Sequence, residues 1–347
     1  MKGHRSVPAL ALLLVVVVGA MTAACGGRDA ASTAAGSEAG TAALPAAELA
    51  LVAYSTPQEA YDRITEAFRK TPEGQNITFT KSYGGSGDQS RAVESGLAAD
   101  IVAFSLEPDM TRLVKAGMVA EDWNKDAHQG MVTRSVVVLV VRKGNPKNIH
   151  GWDDLSRPGI KVVTPNPFTS GGARWNVMAA FGQVTKNGGT EEDGVKFLNS
   201  LFANVPVQDD SARKSLSTFT GGLGDVLLAY ENEAIFAKQK GQPIDYLVPK
   251  STILIENPVA VTSNSKHPGQ AQAFLDYLKF PAAQKIFAEN GYRPVAANVE
   301  SPFPFPEPNG LFTIADFGGW ATVSDRFFNP KGGIMADVER TIGKSVG

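Results

Sequence analysis

The stretch Lys161-Val162-Val163-Thr164-Pro165-Asn166-Pro167-Phe168-Thr169-Ser170-Gly171-Gly172-Ala173-Arg174-Trp175-Asn176 reads as a short apolar strand, a Pro/Asn/Ser turn and a helix entry. Ser170 suits the N-cap position, where a hydroxyl accepts from a first-turn amide. Gly171 and Gly172 carry no Cβ, so a ligand can approach their N–H groups closely. A helix start also carries partial positive charge and unpaired donors, which suits a small anion. Taken alone, the same residues equally describe an ordinary β–α turn.

A second stretch is built the same way. Residues 77–81 predict a strand, followed by Ser82-Tyr83-Gly84-Gly85-Ser86-Gly87-Asp88-Gln89. Ser86 with Gln89 fits a capping box ahead of Ala92, Val93 and Leu97 at helical spacing. A third start is Thr56-Pro57-Gln58-Glu59, with Thr56 as cap, Pro57 at the first helical position and Glu59 at the third. Three helix starts behind three strands point to a shared anion site more strongly than one turn does.

Working outward, the 347 residues are 43% hydrophobic, with 33 basic against 35 acidic side chains. This is globular composition, long enough for two domains. A net charge of −2 and the lack of a Lys/Arg run argue against nucleic acid as a partner. Residues 1–25 read as a signal segment: Lys2, His4 and Arg5 form a basic head, and 9–20 an apolar run too short to span a membrane comfortably. The run ends in Thr22-Ala23-Ala24-Cys25, which resembles a bacterial lipobox. Cys25 is the single cysteine, so no intramolecular disulfide is possible and lipidation is the expected use of its thiol. Residues 26–47 are rich in Ala, Gly, Ser and Thr and read as a flexible tether.

Strand, turn and helix then alternate. Strands are expected over 49–54, 77–81, 100–104, 135–142, 205–208, 224–230 and 253–261, and helices over 57–70, 107–116, 191–203, 231–240, 268–280 and 281–290. Residues 135–142 are apolar almost throughout, as expected of a strand buried on both faces. The alternation implies parallel sheets flanked by helices, with ligands outside the carboxyl ends of the strands. The four histidines are scattered without ligand spacing, so no metal and no cofactor are expected. Gly84-Gly85-Ser86-Gly87-Asp88 approaches a nucleophile elbow, but Asp88 stands where the motif needs glycine. An exported serine hydrolase built on Ser86, and a tethered adhesion protein, are the readings outside the anion-binding class.

Taken together, several runs resemble the sulfate-binding proteins of bacterial sulfate/thiosulfate ABC importers over about 48–328. They are Tyr83-Gly84-Gly85-Ser86-Gly87, Val141-Arg142-Lys143-Gly144-Asn145-Pro146-Lys147, Val163-Thr164-Pro165-Asn166-Pro167 and Ser170-Gly171-Gly172-Ala173-Arg174-Trp175-Asn176. Gly224-Asp225-Val226-Leu227, Glu231-Asn232-Glu233-Ala234 and Phe317-Gly318-Gly319-Trp320 complete the set. The resemblance implies an α/β, two-lobed periplasmic-binding-protein fold of type II, with a hinge and a ligand cleft between the lobes, and no enzymatic activity. It also implies a monomer, held outside the cytoplasm by its lipid anchor, that delivers sulfate to permease subunits. Carried over, the ligand would be held by the amides of Ser55, Ser86, Gly171, Gly172 and Ala212 and by the hydroxyl of Ser170. Two positions depart from the family: Ser55 stands where Asp can occur, and Tyr230 where a Trp can donate its indole N–H.

Sulfate is fully deprotonated at neutral pH and only accepts hydrogen bonds, so a site made of donors satisfies it. Hydrogen phosphate brings an O–H that such a site would bury unpaired. Molybdate and phosphate remain the alternatives within the class. Arg134, Arg174 and Arg213 are candidates for a surrounding positive field or for ordinary salt bridges. The two apolar crossing strands place lobe one at 48–135 and 256–301 and lobe two at 136–255, with 302–347 packing across them.

Overall fold

A computed structural model describes residues 43–344 and 346 of the chain. The signal segment, Cys25 and most of the tether lie outside the described residues. Three successive strand–helix units open the fold: β1 (Ala47–Tyr54) and α1 (Gln58–Phe68), β2 (Ile77–Gly84) and α2 (Ser86–Glu94), β3 (Ile101–Ala103) and α3 (Glu107–Lys115). The long β4 (Met131–Arg142) follows, then β5 (Val162–Val163), α4 (Gly171–Thr185), α5 (Glu191–Ala203), α6 (Ala212–Thr220), β6 (Val226–Tyr230) and α7 (Glu231–Gln239). After β7 (Ile244–Leu247) the second long strand, β8 (Ser251–Val261), returns to α8 (Pro268–Leu278), α9 (Pro281–Glu289) and β9 (Arg293–Pro294). The chain ends in β10 (Gly310–Phe312), α10 (Gly319–Phe328) and α11 (Ile334–Thr341).

The strands order as β2-β1-β3-β8-β4-β6-β5, with β10 beside β8 and both β7 and β9 beside β4. Pairing is parallel around β1 and between β5 and β6, as the alternation implies. It is antiparallel at β3–β8, β8–β4 and β4–β6, so the sheet is mixed rather than parallel throughout. The reason is connectivity. β4 and β8 each carry the chain from one half of the molecule to the other, so their direction follows the crossing and not a local βα return.

The cores show where the crossing lies. Val132 of β4 and Val259 of β8 pack with Leu49, Ile64 and Phe274 in one core. Val137, Leu139 and Val141 of β4 and Ile253 and Ile255 of β8 pack with Trp175 and Phe181 in another. The opposite face of β4, Val136, Val138 and Val140, covers Leu216, Phe219 and Ala234. Burial on both faces explains why this strand reads as an unbroken apolar run. Between the two sets of contacts stand the polar Thr133, Arg134 and Ser135, paired with Asn257, Glu256 and Ile255.

One expected strand is missing. Residues 205–208 form a loop instead. Pro206 has no N–H to give a ladder, and Gln208 turns its amide to the buried Glu339 of α11 at 2.9 Å. The two C-terminal helices add aromatic surface to the second core. Trp320 meets Trp175 edge-on at 4.7 Å, and Phe327 meets Phe181 at 4.8 Å. Truncating Trp320 to alanine removes this contact and opens a cavity, so urea unfolding is expected to show a loss of about 3–5 kcal/mol.

Candidate functional site

The turns that follow β1, β2, β3 and β6 line a small cavity, about 10 Å³ of free space, together with the starts of α4 and α6. Its wall is Tyr54, Ser55 and Thr56; Gly84, Gly85 and Ser86; Ser105; Ser170, Gly171 and Gly172; Ala212; and Tyr230. Every residue singled out from the sequence, Ser55, Ser86, Ser170, Gly171, Gly172, Ala212 and Tyr230, stands in this wall. Tyr54, Thr56, Gly84, Gly85 and Ser105 join them. None of the lining side chains is acidic, basic or a histidine. The tyrosines are the titratable exceptions, and burial pushes the phenols of Tyr54 and Tyr230 far above the ordinary range, so both stay neutral.

The cavity is therefore a neutral space at which α1, α2, α4, α6 and α7 begin. The N–H groups of Ser86, Gly171, Gly172 and Ala212 belong to first turns, where a helix offers no acceptor of its own. Ser170 occupies the N-cap of α4 with extended backbone, but its hydroxyl makes no capping bond. The hydroxyl is left to the cavity.

Two expected caps are not formed. The N-cap of α2 is Gly85, and Ser86 is its first residue. The Ser86 hydroxyl donates to the buried Asp109 carboxylate at 2.6 Å and accepts from the Ser105 N–H at 2.9 Å. A buried carboxylate in need of a donor outcompetes a capping role. Gln89 does not reach the Ser86 N–H; its amide oxygen instead accepts from the N–H groups of Gly84 at 3.1 Å and Tyr83 at 3.2 Å, and from the Ser82 hydroxyl at 3.0 Å. At α1 the register slips by one. Pro57 is the N-cap, the Thr56 hydroxyl pairs with Tyr292 at 2.9 Å, and Glu59 is drawn to Arg213.

Backbone approaches across the cavity are close. A Cβ on Gly85 would lie 2.8 Å from the Asp210 carbonyl, and one on Gly171 would lie 2.6 Å from Ser105 Oγ. Gly87 N–H donates to the Thr169 carbonyl at 3.1 Å, tying the start of α2 to the turn before α4. Glycine at 85 and 171 is thus a packing requirement as much as a means of exposing amides.

The arginines surround this site without entering it. Arg213 of α6 donates to Glu59 of α1 at 2.8 Å, to Glu233 of α7 at 2.9 Å and to the Thr56 carbonyl at 2.8 Å. With two carboxylates on it, its charge is spent locally. Arg134 pairs with Glu256 between the crossing strands at 3.2 Å. Arg174 is half-buried, donates to the Pro167 carbonyl at 2.8 Å and faces the Phe328 ring. Its burial lowers its pKa, while its positive charge opposes the upward push that burial exerts on Asp109. Among the described residues no group of His, Cys, Asp or Glu side chains could hold a metal ion, and no helix is long and apolar enough to cross a membrane.

Residues 49–293 match the family model of bacterial extracellular solute-binding proteins. A sulfate-binding protein of Synechococcus elongatus is 44% identical over 93% of this chain and 93% of its own length. A thiosulfate-binding protein of Pseudomonas aeruginosa is 36% identical over 85% of this chain and 93% of its own. The solved structure of the sulfate-binding protein SubI from Mycobacterium tuberculosis superposes with a TM-score of 0.79 at 44% identity, covering 81% of this chain and 99% of that one. The chain belongs to the bacterial extracellular solute-binding proteins, the family in which these sulfate-binding relatives fall. Its architecture is the two-lobed α/β fold of type II periplasmic binding proteins, and proteins of this family work outside the cytoplasm.

The Arg213 cluster makes a testable claim about stability. Replacing Arg213 with Met leaves the fully buried Glu233 without its cation, and an orphaned buried charge costs about 3–5 kcal/mol. Burial already raises the Glu233 pKa, with Arg213 opposing. Without the arginine the folded pKa lies further above the unfolded one. Stability of the variant should then be highest near pH 4.5 and fall as pH rises through the folded pKa. Thermal unfolding from pH 4.5 to 8 checks this; a variant with a pH profile like the parent's would refute it.

Proposed function

We propose that the protein captures one dehydrated sulfate ion in this cavity and presents it to the permease of an ABC importer. The observation that carries the reading is the wall itself: helix-start amides and hydroxyls, with no charged side chain and no histidine. The amides of Ser55, Ser86, Gly171, Gly172 and Ala212 donate to the ion, and the uncapped Ser170 hydroxyl adds another donor. Partial charges at the helix starts offset the anion without a counterion in contact. Relatives named for sulfate binding support the choice of ligand.

Lobe one comprises 48–135 and 256–301, lobe two 136–255, and 302–347 packs over both. Sulfate bridges the lobes and stabilises the closed form by its differential affinity, and that form is what the permease engages. Cys25 carries the lipid that holds the monomer at the outer face of the cytoplasmic membrane. Thiosulfate is a second substrate on this reading. The phenol of Tyr230 shapes the wall, and a thiosulfate-binding relative shares over a third of the sequence.

Calorimetric titration of the purified protein with sulfate, thiosulfate, molybdate and phosphate tests the proposal. One sulfate per chain should bind, with phosphate giving no heat. Ser170→Ala should weaken sulfate by about 1.5–3 kcal/mol, the range for a hydrogen bond to a charged group. An unchanged affinity removes Ser170 from the site, and silence with every anion removes the function.

A further inference from the structure

Gly85 occupies the N-cap of α2 with φ −61° and ψ 134°, a backbone conformation open to any residue. Local chemistry favours asparagine, aspartate or serine there over glycine, because a side-chain oxygen can cap a first-turn amide. The position needs none of glycine's conformational freedom. The reason for glycine lies in the other half of the molecule. A Cβ at 85 would stand 2.8 Å from the Asp210 carbonyl oxygen and 3.0 Å from that of Thr169. Both distances are well inside van der Waals separation.

Neither side of this contact can step back cheaply. On the far side, the Thr169 hydroxyl donates to the Asp210 carbonyl at 2.9 Å and the Asn166 N–H to the Asp209 carbonyl at 2.8 Å. These bonds join the turns before α4 and α6 into one rim. On the near side, the Ser86 hydroxyl is fixed between the Asp109 carboxylate and the Ser105 N–H. Two bonds then cross the seam. The Gly87 N–H donates to the Thr169 carbonyl at 3.1 Å, and Arg91 Nη2 donates to the Phe168 carbonyl at 3.4 Å. Both need the start of α2 to lie directly against the rim. The atoms that a Cβ would strike are backbone oxygens, so no change of rotamer relieves the clash.

We infer that Gly85 is a closure-determining position: its missing Cβ lets the start of α2 seat on the Thr169–Asp210 rim, and a side chain there holds the two halves apart. Gly85 is a positioning residue and acts by its shape alone. Its substitution removes none of the donors assigned to the ion. With the halves apart, a Cβ at 85 meets nothing from the rim, so the chain folds and the ion enters as before. What is lost is the sealed form that retains the ion, and the loss falls on the rate of release. Gly87 faces the same rim with more room, since a Cβ there would lie 3.1 Å from the Thr169 oxygen.

This rests on the sulfate-capture reading, and one set of measurements separates the two claims. Gly85→Ala and Gly85→Ser are compared with the parent by sulfate titration, stopped-flow tryptophan fluorescence, solution X-ray scattering and thermal unfolding. Serine caps a helix better than glycine and restricts the unfolded chain. Sulfate-free Gly85→Ser should therefore unfold at or above the parent's temperature. Both variants should nevertheless bind sulfate about 10- to 100-fold more weakly, the scale of forcing an extra carbon into a packed contact. Faster release should carry the loss, with the association rate within about threefold of the parent's. The parent should contract when saturated with sulfate, and both variants should contract less. Affinity within about twofold of the parent's in either variant overturns the inference, as does contraction equal to the parent's or a parent that binds sulfate without contracting. Weakened binding in Gly85→Ser together with a lower unfolding temperature of its sulfate-free form also overturns it, because the damage is then local. A parent protein that binds no sulfate overturns the capture reading instead.

Discussion

A helix leaves its first N–H groups without acceptors, and this fold brings several such starts to one small cavity. Everything around the site serves that convergence. The βα units of the first half deliver Ser55 and Ser86, while α4, α6 and β6 deliver Gly171, Gly172, Ala212 and Tyr230 from the other. Donors from both sides of a crossing-strand pair can only be shared if the two halves stay in register. β4 and β8 supply that register by running through both cores, with the polar Thr133–Ser135 segment between them.

Charge is managed by distance and pairing rather than by neutralising contact. Carboxylates lie close behind the wall, Asp109 under Ser86 and Glu233 and Glu59 under Thr56, but each is engaged by a donor of the protein. Arg213 joins elements of both halves through Glu59 and Glu233, so the same ion cluster that consumes its charge also ties α6 to α1 and α7. The cavity keeps its neutral character because the ionised groups around it satisfy one another.

Much of this was legible in the residues. The Ser-Gly-Gly entry at 170–172 and the Gly-Gly-Ser entry at 84–86 mark helix starts by local chemistry alone, and the apolar runs at 135–142 and 253–261 mark the crossing strands by hydrophobicity. Helix 191–203 was readable end to end from its period. What failed were judgements that depend on distant partners. Thr56 and Ser86 have capping side chains, but Tyr292 and Asp109, far away in sequence, take their hydroxyls. The strand expected over 205–208 gives way to a loop because Pro206 cannot donate and Glu339 claims Gln208. Ser105 gives no signal at all, since it is held in the wall by Trp175, Asn257 and Tyr230, none of them near it in sequence.

The central claim is that a fully ionised anion is held by neutral donors whose protons do not move. Titrating sulfate in two buffers of different ionisation enthalpy, at pH 6 and pH 8, tests this directly. With no group in the wall titrating near neutrality, the heat should be the same in both buffers and the affinity the same at both pH values. A buffer-dependent heat would show that a proton is taken up or released on binding. A charged or titrating group would then be part of the site, contrary to this account.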